Sequence, residues 1–378
     1  MNENINYGRM YHYYSQMSRI KKIPFFGSFE LTPRCNMNCK MCYIRMTEEE
    51  MHKVGYELTI ENWLSIAKDA VNEGMMHLLL TGGETILYPN FKKLYLELKK
   101  MGIFISINSN GTLFNEEWGD FFANHLPAQI NLTLYGGSNE TYARLCGNPK
   151  GFDQIINSIK LLKERNIPMA LNCVVTKQNF DDLEEIYRIG REFDIPINST
   201  SYCFPPVRKE GIDNPDINRF TAKKAAIARI KLNWVDIADE DRFYKNISSV
   251  LNDYSSSELK ENRCLDEVGE KVLCAAGRSN FWITWDGRML PCGMIPNYSV
   301  DVLKNGFAES WKNIVAYTET IRLASDCANC EKNKICSPCA AKLMAETGSF
   351  SKKSDYLCEF TDEYINLLKY AKEKLNTK

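Results

Sequence analysis

Cys35-Asn-Met-Asn-Cys39-Lys-Met-Cys42 places three thiols within eight residues, in a C-x3-C-x2-C pattern. A structural zinc takes four protein ligands. No fourth thiol or imidazole stands close, since His52 is ten residues on and His77 falls in an expected strand. Three thiolates suit a four-iron, four-sulfur cubane with one iron left open, and an open iron can bind a substrate or cofactor directly. The spacing therefore points to a catalytic cluster.

Eight more cysteines lie between Cys264 and Cys358: these two and Cys274, Cys292, Cys327, Cys330, Cys336 and Cys339. Such a field points first to metal or redox chemistry. Zinc is one reading, because Cys327-x2-Cys330 with Cys336-x2-Cys339 has zinc-site spacing; it leaves Cys274, Cys292 and Cys358 unexplained. Cys146, Cys173 and Cys203 are scattered and read as buried thiols. No apolar run nears the roughly 20 residues of a membrane span, and Met1–Tyr14 lacks the order of a secretory signal. A cytoplasmic location is expected, where fourteen cysteines do not make a disulfide framework. With 47 basic and 48 acidic residues, no electrostatic grip on nucleic acid or membrane is encoded.

Alternating apolar runs and helical periods must position these thiols. A strand is expected at Phe25–Thr32, just before the first cysteine. A helix follows at Ile60–Glu73, with Trp63, Ile66, Ala67, Ala70 and Val71 on one face, Thr59 as N-cap and Gly74 beyond its end. Strands near His77–Thr81, Ile103–Asn108, Gln129–Leu134, Met169–Val175 and Pro196–Cys203 alternate with helices near Phe91–Met101, Glu116–Ala123, Phe152–Arg165 and Leu183–Phe193. A further helix is expected near Ile217. This order requires parallel pairing with right-handed crossovers, an α/β open sheet or incomplete barrel of about six units, with chemistry at the carboxyl ends of the strands. Residues 233–270 read as a mostly helical bridge. Phe281–Trp285, Asp286-Gly287 and Arg288–Leu290 read as a hairpin with an Asp-Gly turn, and Glu359–Leu375 as a closing amphipathic helix. Tyr11–Tyr14 reads as an amphipathic helix packing on the barrel, with a channel lining as the alternative.

The chain resembles the radical S-adenosylmethionine (SAM) enzymes, whose signature places an apolar or aromatic residue before the last cysteine, here Met41. The resemblance implies a partial (β/α)6 barrel in which Cys35, Cys39 and Cys42 hold a [4Fe-4S] cluster bound with SAM. Gly82-Gly83-Glu84 would receive the SAM ammonium, glycine allowing close approach of backbone. Ser109, Asn110, Thr133 and Asn172 would contact ribose and carboxylate, and Arg144 would pair with the carboxylate. Taken singly, the glycines also read as a turn, and Ser109 and Asn172 as ordinary loop residues.

The second cysteine field is similar to the SPASM extension of radical SAM enzymes that modify peptides and proteins, with a small β-hairpin, helices and one or two auxiliary [4Fe-4S] clusters. The resemblance divides the chain into an extension (1–24), the barrel (25–232), the bridge (233–270) and the SPASM domain (271–378). It assigns Cys327, Cys330, Cys336 and Cys358 to an outer cluster, and Cys264, Cys274, Cys292 and Cys339 to an inner one. The family usually separates the last two cysteines of the central group by three residues, whereas Cys336 and Cys339 have two between them, which leaves their division open. If Cys264 is free, the inner cluster has an open iron.

By the resemblance, one-electron cleavage of SAM yields a 5′-deoxyadenosyl radical that abstracts hydrogen from the substrate. The leading expectation is oxidative formation of a thioether or carbon–carbon crosslink in a ribosomally made peptide. Partners would be that peptide, brought by a separate leader-recognition protein or docked directly, since only 34 residues precede Cys35, and a reductant such as flavodoxin or ferredoxin. The alternatives are formylglycine maturation of the sulfatase type, small-alcohol dehydrogenation, and a non-catalytic zinc scaffold. Against the first, Gly293-Met294 follows Cys292 where those maturases carry an aspartate base. Tyr135 is the one side chain named for catalysis, from its place at a strand end.

Overall fold

The computed structural model describes residues 7–208, 218–255, 274–328, 330–336 and 338–376. Among these, nine strands form one sheet in the order β6-β5-β4-β3-β2-β1-β7-β8-β9. The strands are β1 (Phe26–Glu30), β2 (His77–Thr81), β3 (Phe104–Ser109), β4 (Gln129–Thr133), β5 (Met169–Val174), β6 (Ile197–Thr200), β7 (Asn280–Ile283), β8 (Arg288–Leu290) and β9 (Val300–Asp301). The first six pair in parallel, each with its sequence neighbour, through the helices Ile60–Asn72, Phe91–Lys100, Glu116–Asn124, Gly151–Glu164 and Leu183–Glu192. This is the open (β/α)6 arrangement that the alternation required.

Local chemistry fixes the helix starts. Thr59 accepts the Asn62 N–H at 3.2 Å and the Asn62 side chain accepts the Thr59 N–H at 3.2 Å, so two orphan donors of the first turn are satisfied. The helix then buries Trp63 against Phe29 of β1, with ring centroids 4.6 Å apart and both residues at 0 % exposure. Each such ring stabilises the sheet–helix layer by about 1.5–3 kcal/mol.

Several boundaries differ from expectation. The strand expected to reach Cys203 stops at Thr200, since among the described residues β6 pairs with β5 alone and no neighbour beyond it holds the chain extended. The helix expected near Ile217 begins at Ala222, capped by Thr221. Residues 256–270 of the expected bridge lie outside the described residues; the rest falls in the helices Ala222–Ile237 and Glu240–Ser255 and the short link between them. Short helices Glu48–Val54 and Asn139–Cys146 add to the barrel.

The hairpin forms, with Trp282 opposite Leu290, but its loop runs from Thr284 to Gly287. A Gly287 N–H bond to the Thr284 carbonyl closes the turn, and Gly287 takes φ +86°, a left-handed position that suits glycine. β7 also pairs in parallel with β1, so the sheet continues from the barrel into the cysteine-rich part. The closing helix is Asp355–Asn376, packed along Ala222–Ile237. Tyr11, in the helix Tyr7–Lys21, packs on Phe26 and His77, at the start of β1 and β2 and so at the end opposite the cysteine loop. Among the described residues no helix is long and apolar enough to cross a membrane.

Candidate active site

A cavity of about 820 Å³ opens at the carboxyl ends of the parallel strands, within the about 300–1,000 Å³ range of small-molecule sites. Cys35, Cys39 and Cys42 line it, together with Gly82, Gly83, Ser109, Asn110, Thr133, Tyr135 and Asn172. The sites expected on five different strands thus share one space.

The cysteine loop is held from several sides. Arg34 donates Nε and Nη2 to the two oxygens of Glu57, each at 2.8 Å. The N–H groups of Asn38 and Lys40 bond the Cys146 and Leu145 carbonyls at 2.8 and 2.9 Å, docking the loop on the end of Asn139–Cys146. The Met37 N–H and the Asn110 Nδ2 both donate to Cys35 Sγ, at 3.4 and 3.7 Å, and the Arg45 N–H donates to Cys42 Sγ at 3.3 Å. Burial pushes the Cys35 thiol up to about 12. A bond to Cys146, then burial, holds Cys39 above its ordinary value.

These donors fit the expected cluster in kind: three soft sulfurs on one loop, with amide N–H groups directed at two of them. Because Cys39 bonds Cys146, the sulfurs line the wall without closing into a cage, and among the described residues no three Cys, His, Asp or Glu side chains form one. Loading must displace the protons held on Cys35 by burial and on Cys39 by its bond to Cys146.

Gly82 and Gly83 lie beneath this loop. A Cβ on Gly82, which has φ +145°, would stand 2.4 Å from the Thr32 carbonyl oxygen. Glu84 does not line the cavity. Fully buried, its carboxylate accepts Ser109 Oγ and the Asn110 N–H, each at 2.8 Å. Burial outweighs these bonds and raises it to about 7. In this structure the carboxylate expected at the SAM ammonium holds the end of β3.

Polar side chains cross the sheet towards the cavity: Asn131 Nδ2 donates to Asn108 Oδ1 at 2.9 Å, and Asn198 Nδ2 to Asn172 Oδ1 at 3.3 Å. Tyr135 is half-buried, its hydroxyl pushed well up by desolvation. Arg144 is not among the lining residues; its Nη2 donates to the Gln178 carbonyl at 2.7 Å. Sequence reasoning missed Arg229, Asn233 and Asp236, which line the cavity from Ala222–Ile237. Their i, i+4, i+7 spacing, against an alanine-rich buried face, was a readable signal.

In the cysteine-rich part, Cys327, Cys330, Cys336 and Cys358 line a separate pocket of about 140 Å³. Cys274, Cys292 and Cys339 instead border the apolar cluster of Tyr202, Ile295, Leu343 and Leu357. Cys336 ends one short helix and Cys339 caps the next, Ala340–Thr347, so three positions of sequence separate the two groups. The zinc reading would bring Cys339 beside Cys327, Cys330 and Cys336, and Cys339 is not among the residues that line that pocket. Cys264 lies outside the described residues.

An open parallel α/β sheet with a thiol-lined cavity at its carboxyl edge defines an enzyme of the partial-barrel class. Residues 29–189 match the radical SAM superfamily. The chain carries a radical SAM domain. Over 352 residues it is 22% identical to an AdoMet-dependent heme synthase of Methanosarcina barkeri, covering 90% of this chain and 98% of that one. It is 24% identical over 342 residues to the PqqA peptide cyclase of Rhizobium meliloti, covering 87% and 85%. Streptococcus suis SuiB bound to S-adenosylmethionine superposes with a TM-score of 0.65 at 18% identity, over 95% of this chain and 82% of that one. SuiB has also been solved with its precursor peptide SuiA. These likenesses establish a shared fold.

Proposed function

We propose that this radical SAM enzyme carries out an oxidative modification, a thioether or carbon–carbon crosslink, of a ribosomally made peptide. The observation that carries the reading is the place of the second cysteine field. Met294 and Lys342, each within three residues of Cys292 or Cys339, line the same cavity as Cys35, Cys39 and Cys42. An inner auxiliary cluster would thus adjoin the substrate space, where it could take up the second electron of an oxidation. Cys327, Cys330, Cys336 and Cys358, which line the outer pocket, would hold a second auxiliary cluster.

Cys35, Cys39 and Cys42 would hold the [4Fe-4S] cluster with SAM, which supplies one-electron cleavage and hydrogen abstraction. The Gly82-Gly83 backbone would admit the methionine end, while Ser109, Asn110, Thr133 and Asn172 would orient the ribose. Arg144 would leave the Gln178 carbonyl to meet the SAM carboxylate. Tyr135, which lines the cavity at the end of β4, is the candidate catalytic side chain. PqqA cyclase and SuiB, by name, act on or bind peptides, which supports the substrate class.

A second reading, a carboxylated tetrapyrrole substrate, is favoured by the full-length likeness to heme synthase and by Arg229 and Lys342 in the cavity wall. Anaerobic incubation of the reconstituted enzyme with candidate precursor peptides, and separately with an iron porphyrin carboxylate, tests both by mass spectrometry. A two-hydrogen loss from a peptide supports the proposal; turnover of the porphyrin alone overturns it.

A further inference from the structure

Glu30, at the carboxyl end of β1, is 0 % exposed. Its oxygens accept Arg208 Nη1 and Nη2 at 2.7 and 2.9 Å, and Trp282 Nε1 at 2.9 Å. The Arg208 guanidinium lies 6.0 Å from the ring centre of Tyr43, the residue after Cys42. On the other side, Gly293, the residue after Cys292, packs on the Trp282 ring so closely that a Cβ would stand 2.9 Å away. The contacts run unbroken from Cys42 through Tyr43, Arg208, Glu30, Trp282 and Gly293 to Cys292. The other carboxylate close to Arg208 is Asp286, itself paired with Arg288 at 3.2 Å.

We propose that the buried Glu30–Arg208 pair keeps the net charge between the two iron–sulfur sites at zero, so that neither partner's charge shifts either reduction potential. A buried ion pair contributes little net stability compared with an apolar pair of similar shape, so its position here calls for a role beyond packing. As a pair it is close to neutral at a distance. With one partner gone, the remaining unit charge acts on both sites through a medium that screens weakly. Cluster potential follows local net charge: an uncompensated Glu30 makes each site harder to reduce, and an uncompensated Arg208 makes it easier. The inference rests on the reading of Cys35, Cys39 and Cys42, and of Cys274, Cys292 and Cys339, as cluster ligands.

The test is a redox titration, followed by electron paramagnetic resonance, of anaerobically reconstituted wild type, Arg208→Gln, Glu30→Gln, Arg208→Lys and the double variant E30Q/R208Q, with iron counted on each. Both potentials should move negative in R208Q and positive in E30Q, return near wild type in the double variant, and stay near wild type in R208K, which keeps the charge. Melting and Trp fluorescence of the cluster-free chains identify a single variant that does not fold. R208K and the neutral double variant then decide the matter, since a shifted potential in R208K overturns the proposal. Iron-loaded variants with unmoved potentials, or shifts of one sign in both single variants, also overturn it. A wild type that loads no iron at these sites overturns the underlying site reading, and the inference with it.

Discussion

Gly83 lies directly against the backbone of Arg34: a Cβ on Gly83 would stand 2.3 Å from the Arg34 carbonyl oxygen and 2.7 Å from that of Pro33. Its own N–H bonds the Thr32 carbonyl at 2.7 Å, and the Glu84 N–H bonds that of Arg34 at 2.8 Å. The glycine pair at the end of β2 is therefore the seat of the cysteine loop, one residue before Cys35. Gly83→Ala must push that loop away. Displacement of a reacting group by about 1 Å costs on the order of 100-fold in rate, and a SAM-cleavage loss of this size is expected. The auxiliary iron should remain, as iron analysis will show.

Cys336 lines the outer pocket, whereas Cys339 packs beside the apolar cluster with Cys274 and Cys292. Cys336→Ala should remove about four irons from the outer site, and Cys339→Ala should disturb the inner one, with distinct resonance signals lost in each case. Loss of the same signal from both would contradict the division.

The raised Glu84 carboxyl predicts a pH dependence. Its folded value of about 7 exceeds the ordinary carboxylate value of 4.5, so the folded chain binds the proton more tightly than the unfolded chain. The stability this contributes is complete below about pH 4.5 and is lost as pH rises to about 7. Glu84→Gln, which cannot ionise, should flatten the denaturation midpoint across that window. Wild type and variant with identical pH profiles would count against it.

Phe29→Ala empties the contact with Trp63 and should destabilise the chain by about 3–5 kcal/mol. Urea unfolding followed by circular dichroism reads the loss.

Much of the barrel was legible because its determinants are local. The strand His77–Thr81 has the expected bounds, and Thr59 caps the helix where its side chain predicted. The parallel pairing of β7 with β1 was not legible, since nothing in Asn280–Ile283 specifies a partner some 250 residues away. The C-x3-C-x2-C spacing pointed to the first site, but not to the inward turn of Glu84, which depends on donors from β3. The split between Cys336 and Cys339 follows from a break between two helices that spacing alone does not encode. Glu30 offered a signal that went unused: a carboxylate in an apolar strand needs a partner. That partner, Arg208, is 178 positions away.

The most direct test is iron and sulfide per chain after anaerobic reconstitution, with dithionite-driven 5′-deoxyadenosine release measured on the same sample. The predicted result is about twelve irons with SAM cleavage, three clusters of four. Zinc in place of iron, with no cleavage, would contradict the account.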